Sequence, residues 1–268
     1  MLKYGEKMEI ITSKANAKIV ETKKLLEKKY RDKSGLFLIE TKKVIFEAMG
    51  SGLKLKRLFV LQEKNDFDDE ILNEFCQKGF DVEKVEIVNV SKSVFNEISC
   101  LVSSDGYIAV FEKLVQQKSY ENGNFLILDN LQNPDNMGAI MRTALASNFK
   151  QIYTINCVDE YSSKVIRASM GNQFKLKITH IEYDDISNLF LGAKLYTASM
   201  EGENIFDIKN FDNSIGVVIG NEGNGVSDKL KKQISNTISI PMKNGVESLN
   251  ASVSASIIMY YISQNQKN

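Results

Sequence analysis

The stretch NPDNMGAIMRTA, residues 133–144, sets Gly138 and Arg142 four residues apart. On a helix that spacing puts them on one face, the arginine one turn behind a position with no side chain. The guanidinium then lies beneath a gap that another backbone or a ligand can enter, where it could hold a phosphate or favour a developing oxyanion; an arginine paired with a carboxylate on a solvated face would show the same spacing. A second stretch, VVIGNEGNGVS at 217–227, runs an apolar strand into Gly220, Gly223 and Gly225, with Asn221 and Glu222 between them and Ser227 placed to cap a helix. Such a loop suits close approach of backbone to a ligand. It departs from a phosphate loop in lacking a Lys after the last Gly, and from a dinucleotide fingerprint in reading GxxGxG after the fifth strand of its domain. A third stretch, IPMKNGVESLNASVSAS at 240–256, places Ser248 and Asn250 on either side of Leu249. Two hydrogen-bonding groups beside one apolar contact suit a flat ring with polar edges. Asn250 can cap the closing helix, and Ala251, Ser252, Ser254, Ala255 and Ser256 leave its first turns without bulk, which suits close packing with or without a ligand.

Loops of this kind need a scaffold. Short apolar runs alternate with helix-like segments, the pattern of an α/β protein. In the first part the strand candidates are LFLIE, RLFVL, VEIVNV and YIAVFE, with helices opening near Asn16, Thr41, Phe67 and Ser91. KLVQQKSYENG then breaks the pattern, so residues 113–123 are read as a linker between a domain over 1–112 and one over 124–268. In the second domain NFLILD, QIYTIN, FKLKIT, KLYTAS, SIGVVIG and TISIPM read as strands, with helices opening near Asp135, Ser162, Ser227 and Asn250. Runs that apolar imply a parallel sheet covered on both faces, with ligands gathered at the carboxyl ends of its strands. Pro134 stops the pairing after one strand, leaving Asp135 or Asn136 to cap the helix that follows.

Composition bounds the rest. The 268 residues are 43% apolar and 25% charged, an ordinary globular balance. No stretch has the roughly 18 apolar residues of a membrane span, and the start MLKYGEKMEI lacks a secretory block, so a cytoplasmic protein is expected. Cys76, Cys100 and Cys157 are far apart with no CxxC pair; they read as small buried thiols, and no metal site is expected. Net charge is zero, yet residues 1–60 carry fifteen Lys and Arg against seven Asp and Glu. That surplus is either a docking face for phosphates or a solvated helix face. The lone histidine, His180, ends a strand outside all three stretches and is read as structural.

Together and in this order, the three stretches resemble the signature motifs of the SPOUT superfamily, in its TrmH/SpoU branch of RNA ribose 2′-O-methyltransferases. The matching residues are Asn136, Gly138 and Arg142, then Gly220 and Glu222, then Ile240, Pro241, Ser248, Leu249 and Asn250. SSKVIRASMGNQFKLKI also follows the family pattern, and ITSKANAKIVETKKLLEKKYRDKSGLFLIE is similar to the substrate-binding domain of relatives that act on ribosomal RNA. The resemblance implies a deep trefoil knot in the parallel-sheet domain and a smaller α/β domain, like certain ribosomal proteins, at the front. It implies S-adenosylmethionine as cofactor, bound by Ala198, Gly220, Asn221, Gly223, Ile240, Met242, Ser248 and Leu249. Arg142, Asn136, Glu222, Ser248 and Asn250 would carry the chemistry, with Arg142 stabilising the incipient alkoxide or orienting the target phosphate. A homodimer is implied, with the cofactor beside the subunit contact. The expected activity is methylation of a ribose 2′-hydroxyl, in 23S ribosomal RNA first and in transfer RNA as the alternative; the rival is a non-catalytic RNA-binding protein that keeps the fold. Two residues depart from the pattern: Thr41 stands where the family usually has Gly, and Ala251 where it usually has Val.

Overall fold

The computed structural model describes residues 9–62, 77, 85–115 and 117–267. The helix expected near Phe67 and the thiol of Cys76 lie outside them. The chain divides into two compact units, Met1–Leu114 with Tyr161–Ile166, and Val115–Glu160 with Arg167–Asn268.

The first unit runs β1 (Ile10–Ile11), α1 (Ala17–Lys24), α2 (Lys28–Ser34), β2 (Leu36–Glu40), α3 (Lys42–Gly50), β3 (Leu55–Leu61), β4 (Glu86–Val90), α4 (Lys92–Ile98) and β5 (Tyr107–Glu112). Its five strands lie in the order β1-β4-β3-β5-β2, with β5 antiparallel to both neighbours. Leu38, Phe59, Ile108 and Val110 from the sheet pack with Ile19 of α1 and Val94, Phe95 and Ile98 of α4. Asn16 caps α1, accepting from Lys18 N at 3.0 Å. The lysine-rich segment that opens there is two helices, because Arg31 turns inward and donates to the carbonyls of Leu25 and Leu26, each at 2.8 Å. Those two carbonyls belong to the turn that ends α1, so a buried cation sets the corner between the helices.

Thr41, before α3, has φ +80° and ψ 129°. Its neighbours explain how a β-branched residue is held there. Glu40 accepts from Cys100 N at 2.6 Å and Ser99 Oγ at 2.7 Å, and Lys42 N donates to Asp105 at 2.6 Å. Cys100 is exposed, against the expectation of a buried thiol, since its backbone is drawn to Glu40 on the turn after α4.

The second unit runs β6 (Phe125–Asp129), α5 (Pro134–Ala146), β7 (Gln151–Ile155), α6 (Ser163–Ser169), β8 (Lys177–His180), α7 (Ile186–Leu189), β9 (Lys194–Asn204), β10 (Ile215–Ile219), α8 (Asp228–Gln233), β11 (Asn236–Ser239) and α9 (Ala251–Gln264). Ser163–Ile166 of α6 falls in the first unit and the remainder in the second. The six strands lie in the order β11-β9-β10-β6-β7-β8, and every neighbouring pair is parallel. β6, β7 and β10 are buried at every residue, as the apolar runs of β6 and β10 predict, and the buried polar side chains of β7 are bonded, Gln151 to Glu121 O and Thr154 to His180.

Three boundaries differ from expectation. α5 is capped by Asn133, whose Oδ1 accepts from Asp135 N at 2.8 Å and Asn136 N at 3.3 Å, while Pro134 opens the helix. Neither Asp135 nor Asn136 is the cap, because proline lacks the amide that a first-turn position does not use. The apolar start of FKLKIT belongs to a 3₁₀ turn, Asn172–Lys175, which buries Phe174 before β8 begins. β9 continues five residues beyond KLYTAS, to Asn204. Its pairing with β11 jumps from Thr197↔Thr237 to Glu203↔Ile238, so residues 198–202 leave the ladder as a loop in mid-strand. Gly202 permits the return: a Cβ there would lie 2.6 Å from the backbone of Thr237 and Ile238.

Candidate active site

The carboxyl ends of β10 and β11, with the middle of β9, surround a cleft of about 470 Å³, within the range of small-molecule sites. Residues 198–201 form one wall, the loop 220–226 a second, and Ile240, Met242 and residues 247–249 a third. Ala251, Ser254 and Ile258 of α9 also face it. The lining mixes the apolar side chains of Ile219, Ile238, Ile240 and Leu249 with the charges of Glu201, Glu222, Lys231 and Glu247.

The loop after β10 is closed on itself by two backbone bonds, Asn221 N to Gly225 O at 3.0 Å and Gly225 N to Asn221 O at 2.9 Å. Gly220 serves this closure. A Cβ on Gly220 would overlap the backbone of Gly225 and Val226, so its immediate contact is with the loop itself. Asn221 holds the turn from within: its Oδ1 accepts from Gly223 N at 2.9 Å and Asn224 N at 3.3 Å. Its Nδ2 reaches back to Asn130 O at 2.9 Å, below the end of β6.

Glu222 at the tip is therefore presented in a fixed place. Asn136 Nδ2 donates to Glu222 Oε1 at 2.8 Å, and Asn250 Nδ2 donates to Asn136 Oδ1 at 2.9 Å. Asn250 Oδ1 meanwhile caps α9, accepting from Ser252 N at 2.9 Å and Ser252 Oγ at 2.7 Å. One residue from each of the three stretches thus stands in a single hydrogen-bond chain. Ser256 Oγ donates to Thr143 Oγ1 at 3.0 Å, which fastens the small-residue face of α9 to α5.

The structure puts Ala198, Gly220, Asn221, Gly223, Ile240, Met242, Ser248 and Leu249 on the cleft, with Glu222. Asn136 and Asn250 reach the rim through the hydrogen-bond chain. Arg142 does not line the cleft. It is six residues, roughly 9 Å of helix, beyond Asn136 on α5, and it is exposed. Among the described residues it makes no ion pair or side-chain hydrogen bond, so the alternative of a salt-bridged surface arginine loses its partner. The gap at Gly138 is filled by another backbone: a Cβ there would sit 2.7 Å from Ala168 C and Ser169 N. His180 is bonded to Thr154 Oγ1 at 2.7 Å and Glu160 at 3.0 Å, away from the cleft lining. Burial pushes the Cys157 thiol up to about 12, so it stays protonated at neutral pH.

Sequence reasoning passed over Asp129. This carboxylate is fully buried at the end of β6. It accepts from Ser227 N at 2.7 Å, Asn130 Nδ2 at 2.7 Å and Tyr183 Oη at 3.0 Å, and so ties the loop after β10 to the sheet. A carboxylate closing an otherwise apolar buried run was the available clue, since Asp is rarely buried unless paired.

Residues 123–260 match the family model of the SpoU rRNA methylases, and residues 16–109 match that of the MRM3-like substrate-binding domain. The chain is 35% identical over 157 residues to an uncharacterized tRNA/rRNA methyltransferase of Borreliella burgdorferi, covering 57% of this chain and 69% of that protein. It is 26% identical to the 23S rRNA (guanosine(2553)-2′-O)-methyltransferase RlmP of Bacillus subtilis over 95% of this chain and 99% of that one. Its fold is similar to a solved AdoMet-bound rRNA methyltransferase from Sinorhizobium meliloti, with a TM-score of 0.83 at 21% identity, over 97% of this chain and 99% of that chain.

Proposed function

The chain belongs to the SpoU rRNA methylase family, and from that membership we propose that it methylates a ribose 2′-hydroxyl of RNA, 23S ribosomal RNA in particular, with S-adenosylmethionine as methyl donor. The observation that carries the reading is the chain Asn250–Asn136–Glu222, which joins the three signature stretches at the rim of one cleft. The cleft suits that cofactor: its apolar walls accept a purine, and Glu222, Glu201, Glu247 and Lys231 offer partners of both signs for an amino-acid group. Backbone around Ala198, Gly220, Asn221, Gly223, Ile240, Met242, Ser248 and Leu249 would hold it. Bound there, S-adenosylmethionine supplies an electrophilic methyl group on a sulfonium.

The protein's own work is then positioning and electrostatics. Asn136 and Asn250, with both ends of their amides engaged, hold Glu222 and the start of α9 in register. Holding reactants in line can supply several kcal/mol of a barrier. Arg142, exposed and without an ion pair among the described residues, has a guanidinium available to an RNA phosphate or to the oxygen that becomes an alkoxide. A permanently charged guanidinium favours that charge more readily than it removes the proton. The catalytic unit is read as a knotted domain working as a homodimer in the cytoplasm, with residues 1–112 as the RNA-binding domain; the match of residues 16–109 to a substrate-binding domain supports this last part.

The test is Arg142→Ala. It should abolish methyl transfer to RNA while calorimetry shows S-adenosylmethionine binding at near-normal strength. If the variant instead loses the cofactor, Arg142 is a structural residue and the assigned role fails.

A further inference from the structure

The lysines of residues 1–60 are not equivalent. Lys14 and Lys23 both pair with Glu97, at 2.5 Å and 2.6 Å, and Lys18 pairs with Glu86 at 2.5 Å. These cations are neutralised by carboxylates on and beside α4 and β4. Lys24, Lys28, Lys29 and Lys33 are exposed and make no ion pair among the described residues. Lys24, Lys28 and Lys29 lie at the corner between α1 and α2, and Lys33 lies in the last turn of α2. At the corner, Lys24 Nζ and Lys29 Nζ stand 5.8 Å and 4.8 Å from the centroid of the Tyr30 ring, so two ammonium groups meet one aromatic ring.

Two features make this corner a prepared surface. Arg31 is buried beneath it and fixes the angle between the helices through Leu25 O and Leu26 O, so the lysines project from a rigid base. The acid within α2, Asp32, is drawn away to Lys113 at 2.6 Å. Its carboxyl titrates below the usual range although partial burial works against this, because Lys113 and then the fields of Lys28 and Arg31 outweigh it. The four lysines outnumber the remaining local acids, Glu21 and Glu27.

We propose that the α1–α2 corner, through Lys24, Lys28, Lys29 and Lys33 with Tyr30 between them, is the surface on which this protein docks the phosphate backbone of its RNA, while Lys14, Lys18 and Lys23 serve the fold. The proposal rests on the reading of the chain as an RNA methyltransferase. Four exposed cations without an ion pair among the described residues, two of them at one aromatic ring, match a polyanion whose phosphates gain from counterion release.

The experiment compares Lys24→Gln/Lys28→Gln/Lys29→Gln with Lys14→Gln/Lys18→Gln/Lys23→Gln, which remove equal charge from the same segment. Affinity for a labelled fragment of 23S ribosomal RNA is measured across a salt series. Each phosphate contact contributes roughly 0.7 to 0.9 to the slope of log affinity against log salt, so the first variant should flatten the slope by about 2 to 3 and the second by less than about 1. Equal flattening by both, or an unchanged slope in the first, overturns the assignment and leaves the corner to an acidic protein partner. Wild-type protein without salt-dependent RNA affinity would instead sink the functional reading. S-adenosylmethionine binding, measured in both variants, should match wild type.

Discussion

Thr41 sits at φ +80°, ψ 129°, a region that a β-branched side chain rarely enters. Residues held there cost about 1–3 kcal/mol. Thr41 has no side-chain capping bond to compensate, and the conformation persists because Glu40 and Lys42 on either side are anchored to Ser99, Cys100 and Asp105. Thr41→Gly removes the strain and adds about 0.5–1 kcal/mol of unfolded-state entropy. The balance is a stabilisation of about 0.5–2 kcal/mol. At about 4–8 °C per kcal/mol for a domain near this size, the midpoint of the first unit should rise by about 2–16 °C. Scanning calorimetry of the whole chain reads it directly, with the second unit's transition as internal reference. Thr41→Ala separates causes: it removes the branch but keeps a Cβ, so its gain should be smaller than that of glycine. A glycine variant that melts at or below the wild-type temperature would falsify the strain argument, and would mean that packing of the Thr41 side chain outweighs its backbone cost.

Three further outcomes follow from the site and the sheet. Asn136→Asp replaces the donor 2.8 Å from Glu222 with a second carboxylate; losing a bond to a charged group, about 1.5–3 kcal/mol, should lower kcat/KM for methylation by about 10- to 100-fold. Gly138→Ala drives a Cβ to within 2.7 Å of the Ala168–Ser169 backbone; a loss of about 1–3 kcal/mol in chemical denaturation is expected, and a neutral result would mean that α6 can shift. Glu97, hydrogen-bonded first by Lys14 and then by Lys23, titrates at about 2 when folded, below its ordinary 4.5. A depressed acid stabilises fully above about pH 4.5 and loses that contribution as pH falls toward about 2. The stability gap between wild type and Glu97→Gln should therefore close across that window, and shrink in high salt because the carboxylate is exposed.

The parallel sheet was legible because β6, β7 and β10 are buried on both faces and carry no alternation to misread. The site was legible in part. Glycine, asparagine and serine at strand ends have few uses in a core, so Gly220, Asn136 and Asn250 drew attention. Their partners were not readable, since hydrogen bonds spanning 86 and 114 residues leave no periodic trace. Asp129 hid because two of its three donors, Tyr183 Oη and Ser227 N, come from segments 54 and 98 residues away. The detour at 198–202 hid for another reason: KLYTASMEGEN has no proline to stop a strand, and only the return past Gly202 shows that it leaves the ladder. Arg142 was read as lying under a gap, but the neighbouring helix fills the gap, an interaction between α5 and α6 that spacing along one helix does not encode.

The amide relay also fixes when the site can exist. Its members are contributed before α5 is complete, after β10 and at the first turn of α9, so each bond closes a loop of most of the catalytic unit. Closing loops of that length costs entropy, and the parallel pairing of β6 with β10, itself across about 91 residues, brings two of those segments together. A partly synthesised or partly folded chain that has β6 through β10 in place, but not α9, leaves Asn136 without its donor and the third wall unbuilt. The cleft is therefore complete only in a molecule in which α9 has docked.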